Sequence, residues 1–162
     1  MWTWPLPECE MILHGFPHPG GFGTERKFDI HSGVDIYCQP EQEVISVEDG
    51  VVVFIEEFTG EFAEPPSPWW HNTKAVGVEG ISGVVVYGEI QPHENIAVGK
   101  LLKEGERIGN VITVLKKYKG LPMTMLHIEL HKIGTRKTVI WNLGEPKPES
   151  LIDPLTKLVS LK

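Results

Sequence analysis

The sequence predicts an all-β protein, built as an antiparallel sandwich or open barrel with long loops. Seventeen glycines and thirteen prolines among 162 residues divide the chain into short segments. Between these turn residues lie runs rich in valine and isoleucine, the residues that favour strands. No internal repeat, linker or low-complexity tract interrupts the pattern, so residues 1–162 are predicted to form a single domain.

Composition and charge narrow the classes of partner. The chain is 41% hydrophobic and 23% charged, with a formal net charge of −7. An acidic chain without a basic patch does not suit nucleic acid. No apolar run approaches the ~20 residues needed to cross a bilayer, and the first residues lack the pattern of a signal peptide. The expected location is therefore cytoplasmic as written, with release by lysis or association with a phage as other routes.

The elements are predicted in chain order from these signals. Residues 1–27 form an irregular leading segment that is rich in proline, glycine and aromatic residues. Two valine-rich runs joined by Asp49-Gly50 predict a hairpin over residues 44–55. A long loop over 56–73 follows, in which Trp69 and Trp70 either line a substrate groove or cap the core.

The second half repeats the same alternation of strands and turns. A second hairpin is expected over 75–90, with its turn at Gly80–Gly83. Further strands are expected over 111–115, 126–133 and 138–141, and a short turn or helical stub over 151–155. Cys9 and Cys38 are too few for a disulfide framework and are expected to be reduced thiols.

Two short segments carry residues that bind metals in other proteins. His31 and Asp35 stand four residues apart with Gly33 between them, and in an extended chain all three would point to one face. Imidazole and carboxylate are ligands that zinc accepts. A hydrogen-bonded His–Asp pair without metal is the alternative, and a third ligand must come from elsewhere in the chain.

The best source of that ligand is the strand Met125-Leu126-His127-Ile128-Glu129-Leu130-His131. Alternation along a strand places its odd-numbered residues on one polar face and its even-numbered residues on the other. His127 is the candidate ligand on the polar face, where Glu129 is expected to orient it. The segment is not the helical zincin motif, in which glutamate directly follows the first histidine.

The order of these segments resembles the lysostaphin-type, or LytM-like, zinc metallopeptidases, which cleave peptide cross-links in bacterial cell walls. His31-Ser32-Gly33-Val34-Asp35 matches the family's H-x-G-x-D, and residues 125–129 resemble its H-L-H-F-E. Residues 98–109 resemble a glycine-punctuated segment of the family, and Ile152-Asp153-Pro154 resembles its closing v-D-P. The resemblance covers about residues 12–158 and implies a LytM-like core, the duplicated hybrid motif.

The same resemblance implies the chemistry. It assigns one zinc ion to His31, Asp35 and His127, with water completing the coordination, and a peptide or peptidoglycan-like substrate. Two positions depart from the family. Met125 stands where the family has the first histidine of H-x-H, and Glu89 stands where it has the histidine of Y-x-H-L. A thioether cannot accept a proton.

Three interpretations follow from this departure. The chain is a metallopeptidase in which Glu89 is the general base and His131, His93 or His71 stabilises the oxyanion. Alternatively, it keeps the metal without catalysis and acts as a binding or regulatory module, or it is a scaffold without metal. The orientation of Glu89 separates the first two, because a general base must face the metal whereas a residue of an inactive module can face solvent.

Overall fold

The elements of the fold are short strands, as the sequence predicts for its fold class. The computed structural model describes residues 1–161. Within that range the chain forms, in order, β1 (Asp29–Ile30), β2 (Val34–Tyr37), β3 (Glu43–Ile45), β4 (Gly50–Thr59), β5 (Thr73–Gly80), β6 (Gly83–Pro92), β7 (Leu101–Leu102), β8 (Arg107–Val111), β9 (Met125–His131), β10 (Trp141–Asn142), β11 (Leu151–Ile152) and helix α1 (Leu155–Leu158).

Nine of these strands form one antiparallel sheet, whose main path runs β11-β9-β6-β5-β4-β7. Strand β9 pairs with β6 along one edge and with β2 and β11 along the other. Strand β8 pairs with both β3 and β6, and β1 pairs with β10 in a separate two-stranded sheet. The all-β prediction is confirmed, and β9 lies between strands that are distant in sequence.

Alternation along β9 separates the core from the polar face. Leu126, Ile128 and Leu130 are buried in the main apolar cluster, where they meet Val34 and Ile36 of β2. The intervening side chains, His127, Glu129 and His131, hydrogen-bond to one another. The two-faced strand predicted from the sequence is therefore confirmed.

The second predicted hairpin is also confirmed. Strands β5 and β6 pair antiparallel, with Gly80 opposite Gly83 and Ile81-Ser82 forming the turn. Gly83 has φ +126°, a backbone conformation that costs least for glycine.

The predicted hairpin over residues 44–55 is wrong. Strand β3 pairs with β8, whereas β4 pairs with β5 and β7. Residues 46–49 make a corner between them, where the hydroxyl of Ser46 donates to the carbonyl of Glu48 at 2.7 Å. The valine-rich runs predicted strand formation correctly, but such runs do not specify which strands pair.

Several boundaries differ from expectation. The strand expected over 111–115 ends at Val111 as the last residue of β8, and beyond it Leu115 forms only an isolated bridge with Trp70. The strand expected over 138–141 is reduced to β10. The short turn or helical stub expected over 151–155 lies later in the chain, because residues 151–152 form β11 and helix α1 begins only at Leu155.

Within residues 1–161, no helix is long and apolar enough to span a membrane.

Candidate metal centre

The pairing of β2 with β9 brings the three predicted ligands together. Asp35 is directly opposite His127, and His31 lies three residues before β2 begins. Nε2 of His31 lies 3.2 Å from Oδ1 of Asp35 and 3.2 Å from Nδ1 of His127, and this Nδ1 lies 2.9 Å from the same Oδ1. One atom from each side chain therefore forms a nearly equilateral triangle.

The size of this triangle fits zinc. Ligands about 2.0–2.1 Å from a tetrahedral ion lie about 3.3 Å from one another, close to the distances seen here. All three side chains are at most 6% exposed. Two nitrogens and one carboxylate oxygen also match the ligand types that zinc accepts.

The outer nitrogens of both imidazoles fix the direction of the inner ones. Nδ1–H of His31 donates to the carbonyl of Gly21 at 2.9 Å, and Nε2–H of His127 donates to Oε1 of Glu129 at 2.9 Å. A neutral imidazole that donates from one nitrogen presents a lone pair on the other. Both lone pairs therefore point at Asp35, an arrangement that requires a cation or a proton between them.

Glu129 anchors His127 to a buried hydrogen-bond chain. Its Oε1 also accepts from the hydroxyl of Ser32 at 2.8 Å, and its Oε2 accepts from Nε2–H of His131 at 2.7 Å. The other nitrogen of His131 meets the hydroxyl of Ser150 at 3.0 Å. The geometry agrees with the expectation that Glu129 orients His127, a role that outer-shell carboxylates have at many zinc sites.

Gly33 makes room for the His127 ring. A Cβ at this position would lie 2.4 Å from the carbonyl oxygen of Ile128 and 2.9 Å from two atoms of the ring. Any other residue would force β9 and the His127 ring away from His31. The glycine of the first motif is thus required for the close approach of β9.

The electrostatics of the triangle favour positive charge within it. Burial by itself would raise the pKa of Asp35, but the charge of His31 and the hydrogen bond from His127 hold that pKa well below its ordinary value. Burial would lower the pKa of His127, but hydrogen bonds to Asp35 and Glu129 raise it to about 10. Positive charge inside the triangle, from a proton or from a metal ion, is therefore favoured.

Glu89 reaches this region through a β-bulge. Two residues of β6, Gly88 and Glu89, stand opposite the single residue Ala75 of β5, and Glu89 has φ +65°. Gly88 is the partner of His127 across the sheet, so the bulge lies beside the triangle. Bulges of this kind redirect a side chain near an active site.

One oxygen of the Glu89 carboxylate is buried and unpaired, whereas the residue as a whole is half-buried. Its Oε2 has no hydrogen-bond partner within residues 1–161. Burial and the charge of Asp35 raise its pKa to about 8, against the opposing effect of His127 and Arg26. The buried Oε2 of Glu89 therefore does not face solvent, and Glu89 forms no salt bridge within residues 1–161.

The histidines expected to stabilise an oxyanion lie elsewhere. Both nitrogens of His131 are occupied by Glu129 and Ser150, and the side chain is fully buried. His93 faces Glu43 at 3.3 Å, and His71 is exposed in the loop before β5. The expectation is wrong for His131 and His93, because Glu129 and Ser150 hold His131 and Glu43 holds His93.

Arg26 is a contact of Asp35 that no signal in the sequence indicated. Its Nη2 donates to Oδ2 of Asp35 at 3.2 Å and to the carbonyl of Pro19 at 3.0 Å. The residue lies in the irregular leading segment, where neither periodicity nor a motif gives a signal. The same loop-forming composition that predicted the segment concealed its contact with a candidate ligand.

Comparisons with known proteins agree with this fold. Residues 29–139 match the model of peptidase family M23. No curated protein shows significant sequence similarity to the chain. Among solved structures, cbpa from L. salivarius REN matches with a TM-score of 0.61 and 19% identity, over 98% of this chain and 95% of its own.

Two further structures share the fold. Lysostaphin matches with a TM-score of 0.52 and 20% identity, over 81% of this chain and 44% of its own. The chain thus spans less than half the length of that relative. The catalytic domain of a point mutant of EnpA, a prophage-encoded M23 protein from Enterococcus faecalis, matches with a TM-score of 0.52 and 18% identity, over 76% of this chain and 88% of its own.

Proposed function

The chain belongs to peptidase family M23, and on that premise we propose that it is a zinc-dependent peptidase acting on peptidoglycan cross-links or related peptides. His31, Asp35 and His127 would hold the zinc, and Glu89 would be the general base. The observation that carries the proposal is the buried triangle of two imidazole nitrogens and one carboxylate oxygen, with sides of 2.9–3.2 Å. Family membership supports the peptide substrate.

Zinc, when bound, would lower the pKa of a coordinated water and polarise the carbonyl of the scissile bond. The chain's own residues prepare the site for it. The carbonyl of Gly21 and the carboxylate of Glu129 keep both imidazoles in the ligand tautomer. Because these contacts are buried, the site needs little rearrangement to receive the ion.

Glu89 supplies the proton-transfer group. As the water oxygen bonds to the carbonyl carbon, the unpaired Oε2 of Glu89 would take the water's proton. The carbon–nitrogen bond then breaks, and Glu89 returns the proton to the departing amine. A raised pKa suits both halves of this exchange, because a base with a pKa near the working pH gives the proton back readily.

Metal content tests the ligand assignment. We expect about one zinc per chain in the purified protein and none in Asp35→Ala, because removing one of three ligands leaves too few for tight binding. Elemental analysis of the folded proteins measures this. Wild-type protein that stays metal-free after zinc is supplied would contradict the proposal.

Substitution of Glu89 tests the general base. Glu89→Gln should keep its zinc and lower kcat/KM on a peptidoglycan cross-link peptide by about 10²–10⁴-fold, the usual contribution of general-base catalysis. Glu43→Gln, a carboxylate remote from the triangle, is the matched control and should keep wild-type activity. Zinc-loaded wild-type protein that hydrolyses no such peptide would favour a metal-binding module without catalysis.

A further inference from the structure

Part of the leading segment, residues 19–26, is hydrogen-bonded to the candidate metal centre. The backbone N–H of Asp35 donates to the carbonyl of Gly20 at 2.9 Å, and that of His31 donates to the carbonyl of Thr24 at 2.9 Å. Arg26 adds its contacts with Pro19 and Asp35. This stretch of the segment therefore holds a guanidinium against the centre.

Arg26 lies nearer to solvent than the triangle does. Its side chain is 40% exposed, whereas that of Asp35 is 5% exposed. Both of its hydrogen bonds use Nη2, and the structure of residues 1–161 gives Nε and Nη1 no acceptor. Arg26 thus has donors without an acceptor on the solvent side of Asp35, a member of the triangle.

Peptide hydrolysis needs such a donor. Negative charge develops on the carbonyl oxygen when water attacks, and fixed donors that meet this charge make a large contribution to catalysis. Met125 has no N–H or O–H in its side chain, and Glu89 carries negative charge when ionised. His131 and His93 already have partners, whereas Arg26 hydrogen-bonds Oδ2 of Asp35 and keeps two nitrogens without an acceptor.

We propose that Arg26 is a catalytic residue, whose free N–H groups donate to the carbonyl oxygen of the scissile bond as negative charge builds on it. The inference rests on the proposed peptidase function. Arg26 transfers no proton in this role, because the proton of water passes to Glu89 and then to the amine. A substrate that covers the site removes water from around the guanidinium and strengthens the interaction.

Two measurements on zinc-loaded protein test this role. In Arg26→Ala, kcat on a peptidoglycan cross-link peptide should fall about 10²–10³-fold with little change in KM. Calorimetry should show a comparable loss of affinity for a phosphinate peptide, which imitates the tetrahedral transition state, and little loss for an uncleavable ground-state peptide. Added guanidinium ion should restore part of the kcat of Arg26→Ala.

Controls separate catalysis from structure. Lys27→Ala removes the neighbouring cation, which lies over the ring of Phe28 instead of the site, and should behave as wild type. Arg26→Lys should recover part of the activity, and it serves in place of the alanine variant should that variant not fold. Zinc content and thermal unfolding of each protein show whether the centre is intact.

The outcomes are distinct. Wild-type protein that does not hydrolyse the peptide overturns the proposed function and this inference together. An active wild type with Arg26→Ala within about threefold in both kcat and phosphinate affinity overturns the inference alone. Loss of zinc from Arg26→Ala would also overturn it, because Arg26 would then act only by positioning Asp35.

Discussion

Within residues 1–161, two clusters combine histidine with carboxylate, and one of them resembles a metal centre. The triangle unites His31, Asp35 and His127. At another edge of the sheet, Glu43 of β3 meets Nε2 of His93 at 3.3 Å and Nε of Arg107 at 3.1 Å. The contact distances are similar in the two clusters, so distance alone does not distinguish them.

Burial and direction distinguish them instead. His93 is 33% exposed and Arg107 is 74% exposed, and Arg107 already balances the charge of Glu43. In the triangle, buried hydrogen bonds turn two lone pairs and a carboxylate oxygen toward one point. A site therefore depends on where the donor atoms converge and what excludes water, more than on which residue types are present.

The largest effect is expected from substitutions that remove a ligand of the triangle. His127→Ala should abolish stoichiometric zinc binding, and His31→Ala should do the same, because each removes a ligand. His93→Ala is the matched control from the exposed cluster and should keep full zinc content. Elemental analysis of the three proteins decides, and full zinc in either ligand variant would refute the assignment.

A smaller effect should appear in the acid stability of the zinc-free protein. Burial would raise the pKa of Glu129, but hydrogen bonds from His127 and His131 hold it at about 2, below its ordinary value of 4.5. A carboxylate whose pKa is lowered in the folded state stabilises the fold at pH values above its pKa in the unfolded chain. This stabilisation is lost as the pH falls from about 4.5 toward 2. The loss should amount to about 2–3 kcal/mol of unfolding free energy.

Urea unfolding at pH 7 and pH 3 measures this contribution. Glu129→Gln should lack the part of the pH dependence that comes from the carboxylate, so its stability should change less than that of wild type between the two pH values. Glu43→Gln should differ from wild type by less than about 1 kcal/mol at pH 7, because its partners are exposed. Equal pH dependence in wild type and Glu129→Gln would show that the buried hydrogen bonds leave Glu129 unperturbed.

The smallest effect concerns the strength of metal binding. Glu129→Gln keeps all three ligands but weakens the acceptor that fixes the ring of His127, so zinc affinity should fall about 10–100-fold. Competition with a chelator measures the affinity, and Glu43→Gln should match wild type. An unchanged affinity in Glu129→Gln would mean that the strands alone orient the ring.

The sequence by itself determined most of the strands and pointed to the candidate ligands. Alternation is a local property of an extended chain, so it predicted that His127 and Glu129 share a face opposite Leu126 and Ile128. His31 and Asp35 are four residues apart, so the sequence alone predicted that their side chains lie close together. The hairpin at Gly80–Gly83 was equally local.

Only the tertiary structure decided which strands pair and where Glu89 and Arg26 lie. β3 pairs with β8 instead of β4 because pairing depends on packing across the whole sheet. Glu89 lies beside the triangle because a bulge opposite Ala75 breaks the alternation. Arg26 reaches Asp35 because the irregular leading segment folds back over β2. That segment has no periodic sequence pattern, so its position depends on contacts with residues distant in the chain.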